Sequence, residues 1–181
     1  MDRAALSPAV KPLLFPRPEG KAGGGGTGKW TAVPREGGAE YVQALNGIED
    51  VVSFYGFSSA VGPEIRSFND MERLMMADHS LGFHSLRRSA ILGVPVLWFE
   101  KTAIEKNQGS DRPGAPPGAK PRRAGQSLNV RTRGVFMLQK GPEPRFVTIA
   151  CARTSTRGEI GAFFEGQFMA WLTSIIENCF R

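Results

Sequence analysis

Only a few residues in this chain have the types and spacing that chemistry needs. Asp78-His79 and His84 form a His-x4-His pair beside a carboxylate, which could ligate a metal or share a proton. Gly82 falls between the histidines, the spacing crosses an expected helix end, and no third ligand is evident. Ordinary exposed or capping histidines fit the pattern better. Gly23 to Gly28 followed by Lys29 satisfies GxxxxGK, the start of a phosphate-binding loop. The next residue of that loop must carry a hydroxyl for magnesium, and here it is Trp30. Ser80, Ser85 and Ser89 lack the strained GxSxG turn that exposes a nucleophile. Cys151 and Cys179 stand far apart with no CxxC spacing and read as small core hydrophobes of a reducing, cytoplasmic protein. The sequence therefore assigns no catalytic residue, metal or cofactor. The acid–base groups left for an enzymatic alternative are His79, His84, Asp78, Glu100 and Glu105.

Charge supplies a second candidate. The 181 residues carry a formal charge of +6. Lys101, Lys106, Arg112, Lys120, Arg122, Arg123, Arg131 and Arg133 face only Glu105 and Asp111 within the same window. A basic Pro/Gly-rich tract is usually a solvated loop, but Arg122, Arg123, Arg131 and Arg133 could hold an anion or a nucleic-acid backbone. Single-strand binding also wants aromatics for stacking, and the nearest are Trp98, Phe99 and Phe136, inside expected strands. No apolar run reaches the length of a membrane span, so no membrane partner is expected.

The elements that must position these residues are clearest at the end of the chain. Val135 to Gln139 and Arg145 to Cys151 are apolar, β-branched runs separated by Lys140-Gly141-Pro142-Glu143-Pro144, which predicts an antiparallel hairpin. Thr156-Arg157-Gly158-Glu159 fits a capping box. The helix it opens would place Ile160, Phe164, Phe168, Trp171, Leu172, Ile175, Ile176 and Cys179 on one stripe. Phe163 lies off that stripe, and with Trp171 it is the expected partner-binding surface.

Earlier in the chain, residues 1–38 read as a disordered Pro/Gly-rich leader, with order expected only around Trp30 and Val33. A short helix is expected at 40–45, a strand at 51–57, and a helix from Pro63 to Ala77 with Ile65, Phe68, Met71, Leu74 and Met75 as its apolar stripe. Ile91 to Phe99 reads as one strand, bulged at Gly93 and confined toward an edge by Pro95. Asn107-Gln108-Gly109-Ser110 and Gly125-Gln126-Ser127-Leu128 bracket a flexible insertion at about 108–126. The expected architecture is a single α+β domain at 39–181: a mainly antiparallel sheet of four to five strands with helices packed on one face.

Three segments carry a family likeness. They are Val94-Pro95-Val96-Leu97-Trp98 with the basic tract after it, Arg133 to Leu138, and Phe146-Val147-Thr148-Ile149 with the closing Glu177-Asn178-Cys179-Phe180-Arg181. This layout resembles the N-terminal accessory α/β region that precedes the core of some bacterial AAA-type ATPases. The resemblance implies a non-catalytic, partner-binding or regulatory domain, since neither the Walker A hydroxyl nor a Walker B acidic pair is present. The ending on Phe180-Arg181 suits a boundary within a longer protein as well as a natural stop.

Overall fold

A computed structural model describes residues 14–22, 26–45, 51–60, 65–106, 125–139, 145–155 and 165–180. Seven antiparallel strands form one sheet: β1 (Thr31–Arg35), β2 (Gly38–Ala44), β3 (Val51–Ala60), β4 (Phe83–Ile91), β5 (Val94–Lys106), β6 (Ser127–Gln139) and β7 (Arg145–Ser155). Helix α1 (Phe68–Ala77) and a 3-10 turn (His79–Leu81) link β3 to β4, and α2 (Glu165–Phe180) follows β7. The strand order is β1-β2-β3-β7-β6-β5-β4. Two meanders therefore meet at the β3–β7 pair, and the α1 crossover carries the chain from the middle of the sheet to its far edge.

The expected four to five strands are thus seven, and the helices divide between the two faces instead of sharing one. Strand parity explains the division. Leu97 and Phe99 of β5, Phe136 of β6, and Phe146 and Ala150 of β7 point to the front, where Met71 and Met75 of α1 cover them. Val96, Val135, Met137, Val147, Ile149 and Cys151 point to the back, with Val52 and Phe54 of β3. There Phe168, Trp171, Leu172, Ile175, Ile176 and Cys179 of α2 bury them. Trp98 and Phe99 do fall on opposite faces, as alternation requires.

Two local readings fail for identifiable reasons. The expected helix at 40–45 is β2, because Tyr41, Val42 and Gln43 alternate across a sheet once the Glu36-Gly37 turn folds β1 onto β2. The single strand expected over 91–99 is a hairpin. Leu92 and Gly93 both have positive φ, 51° and 79°, and form the two-residue turn between β4 and β5. Pro95 is accommodated because β6 pairs with β5 only from Leu97 onward. The hairpin at the chain's end forms as expected, with Gln139 opposite Arg145.

Part of the expected disordered leader is ordered core. Residues 14–22 run along α2 as a strap: Leu14 meets Cys179, the Trp171 indole donates to the Pro16 carbonyl at 2.7 Å, and Gln167 donates to that of Glu19 at 2.6 Å. The Tyr41 hydroxyl donates to the Phe15 carbonyl at 2.8 Å. The Phe15 ring fills the space that a Cβ at Gly56 would need. A proline-rich strap has no ladder of its own, so side-chain donors satisfy its carbonyls. The capping box at 156–159 and the expected insertion up to residue 124 lie outside the described residues.

Candidate functional site

The strands change character halfway along the front face. Under α1 they carry Leu97, Phe99 and Phe136, with Phe99 and Phe136 stacked at 4.3 Å between ring centroids. Beyond α1 the same strands carry Lys101, Ala103 and Glu105 on β5, Val130 and Thr132 on β6, and Ala152 and Thr154 on β7. Large apolar side chains end where the helix ends, and small or hydroxyl side chains take over. The result is a cleft of about 480 Å³, open among the described residues and floored by Ser53, Tyr55, Thr132, Ala152 and Thr154. Arg35 and Glu40 line it from the β1–β2 hairpin, and Lys101 and Glu105 line it from β5. In a flat sheet, five spacings of about 4.8 Å would separate β1 from β5. Their residues share one cleft, so the sheet curls toward the front.

The polar groups in the cleft are held in place. Glu40 is buried and accepts a hydrogen bond from Nε of Arg35, whose own side chain is half exposed. A charge taken out of water in this way needs its partner. Burial pushes the Tyr55 phenol up to about 12, against an opposing hydrogen bond to Thr132, so the hydroxyl keeps its proton throughout the neutral range. Tyr55 of β3 reaches Thr132 of β6 across β7, where Ala150 and Ala152 leave the room. Lys101 stands 5.7 Å from the centroid of the Phe83 ring, at the boundary between the aromatic and polar halves. The cleft offers hydroxyl donors, a buried carboxylate, and both signs of charge at its walls. These are the parts of a binding site of small-ligand size.

The residues singled out in the sequence lie elsewhere, Glu105 excepted. His79 is exposed in the 3-10 turn, and exposed His84 places Nε2 3.2 Å from the Thr102 hydroxyl. Asp78 caps that turn, accepting from the Ser80 amide and hydroxyl, and these bonds hold its carboxyl below the usual range. Glu100 is on the back face, 3.7 Å from Arg131 and 3.5 Å from Arg133. Glu105 lies on the front, so the acid–base candidates are not assembled into one site. Among the described residues no group of three His, Cys, Asp or Glu side chains is placed to hold a metal.

Of the expected anion-binding residues, Arg131 and Arg133 come together around Glu100, and Arg122 and Arg123 lie outside the described residues. Phe163 also lies outside them. Trp171 is buried beneath the chain's own strap and donates to its Pro16 carbonyl. The GxxxxGK stretch leads into a strand, β1, instead of the helix that phosphate binding needs. Trp30 is core there, 4.8 Å from Phe54 between ring centroids. Arg35, Glu40, Tyr55 and Thr132 went unnoticed in the sequence, and Lys101 was counted only as part of the basic window. The switch along β5 from Leu97 and Phe99 to Lys101, Ala103 and Glu105 was the available signal.

No family model matches the chain, and no curated protein matches it. No helix among the described residues is long and apolar enough to cross a membrane.

Proposed function

We propose that this chain is a partner-binding domain whose recognition site is the front-face cleft, and that it works by binding and not by catalysis. One observation carries the reading. Half of the front face is left uncovered by α1, and there a hydroxyl-rich floor lies between two walls that each present a cation and a carboxylate. A wall of this kind suits a partner segment bearing side chains of both signs, with Lys101 and Arg35 meeting acidic groups and Glu105 meeting a basic one. Tyr55 supplies a hydroxyl that stays protonated at neutral pH. The resemblance to the accessory region of AAA-type ATPases supplies the first class of partner to try. The buried thiols of Cys151 and Cys179, neither of them in a disulfide, support placing the domain in the cytoplasm.

The test is a titration of the isotope-labelled chain with short blocked peptides of Glu-Xaa-Lys and Lys-Xaa-Glu sequence, followed by backbone amide shifts. The proposal expects saturable shifts at Ser53, Tyr55, Thr132 and Thr154. Shifts that never saturate, or that avoid these positions, would sink it.

A further inference from the structure

The two edges of the sheet are built differently. β1 is five residues long and contains Pro34, a short interrupted edge of the kind that discourages further pairing. β4 is nine residues long, contains no proline, and closes the strand order at the other end. Its turn with β5 makes Ile91 and Val94 the closing hydrogen-bonded pair. Alternation then turns the N–H and C=O groups of Ala90, Arg88 and Leu86 outward, away from β5.

The back face beside this edge is basic. Arg87 of β4 lies opposite Trp98, and the Arg133 guanidinium sits 5.3 Å from the Trp98 ring centroid. Ser85, Arg87, Trp98, Glu100 and Arg133 line a shallow hollow of about 200 Å³. Arg131 and Arg133 both contact the Glu100 carboxylate, and exposed Arg87 adds a third guanidinium on the same face. On the front of the same strand, Arg88 is already engaged by Glu72 of α1, with both guanidinium–carboxylate contacts at 2.8 Å.

We propose that the β4 edge is a second interaction surface, separate from the cleft, that takes an extended acidic segment of a partner protein as an eighth strand. The outward groups of Leu86, Arg88 and Ala90 supply main-chain pairing. Every second side chain of the added strand lies on the back face, where Arg87 and Arg133 select acidic residues. Charge on the edge also discourages pairing with another copy of this chain, since two basic edges repel.

The probe is a fluorescent peptide of about ten residues alternating Glu with Val and Thr, titrated onto the full chain at low salt and read by polarisation. The proposal expects saturable binding that weakens as salt is raised. It expects losses of about ten-fold or more with Arg87→Glu, and on N-methylation of alternate peptide amides. Ala90→Pro removes an outward donor without touching the β5 pairing and is expected to act like N-methylation. Circular dichroism of both variants separates lost binding from lost folding. Three results would overturn the proposal: absence of saturable binding, binding that survives N-methylation, or a single-stranded oligonucleotide binding more tightly than the peptide with the same Arg87 dependence.

Discussion

Gln43 fixes the N-terminal strap, and replacing it tests whether the strap is structural. Its side chain is fully buried. The carbonyl end accepts from the Ala22 amide at 2.6 Å, and the amide end donates to the Gly20 carbonyl at 3.1 Å. Gln43→Met keeps the length and approximate volume but removes both groups. Ala22 is wholly buried, so its N–H is stranded, at a cost of about 1–3 kcal/mol. Gly20 loses less, because the Trp30 indole still donates to its carbonyl at 2.9 Å. The expected loss is about 2–3 kcal/mol, read as a lower urea midpoint with an unchanged slope. Trypsin cleavage after Lys21 in the strap should accelerate in parallel. A variant within about 0.5 kcal/mol of the parent, with unchanged cleavage, would refute the role given to the strap. The matter bears on function, because the strap helps α2 close the back face and leaves the front cleft as the open part of the sheet.

Further outcomes follow from the same geometry. The Tyr55 phenol ionises at about 12 in the fold, against 10.0 for the free side chain, so its contribution is fully present below pH 10 and is lost as the pH rises through 12. With Tyr55 partly exposed, the loss over that window is about 2 kcal/mol; Tyr55→Phe should lack this component in urea unfolding, and parallel pH curves would refute the assignment. Leu92 occupies a left-handed turn position at φ 51° while 40% exposed, so Leu92→Asn should raise stability by about 0.5–1 kcal/mol. A lower urea midpoint would contradict the turn geometry.

The legible parts of the sequence were those where local pattern and tertiary position agree. Phe168, Trp171, Leu172, Ile175, Ile176 and Cys179 announce one buried helical stripe, and the two runs around 140–144 announce a hairpin. The strap was illegible because Pro16, Pro18 and Gly20 form no secondary structure of their own. Their order comes from Tyr41, Gln43, Gln167 and Trp171, which lie far along the chain. Front and back faces were missed for a related reason. Met71 and Met75 fit a helix whichever face it covers, and only the β3-to-β4 crossover sends α1 to the front. The cleft was hardest to see, since Glu40, Tyr55 and Lys101 belong to three strands that only a curled sheet brings together.

The cleft itself can be tested by filling it. Ala103 lies on β5 between Lys101 and Glu105 and lines the cleft with them. Dissociation constants of the blocked Glu-Xaa-Lys peptide for the parent chain and for Ala103→Trp should be measured side by side, with circular dichroism confirming an intact sheet. Recognition in the cleft predicts binding weakened about ten-fold or more, since the indole takes the space that the ligand needs. Equal affinity in an intact fold would contradict it.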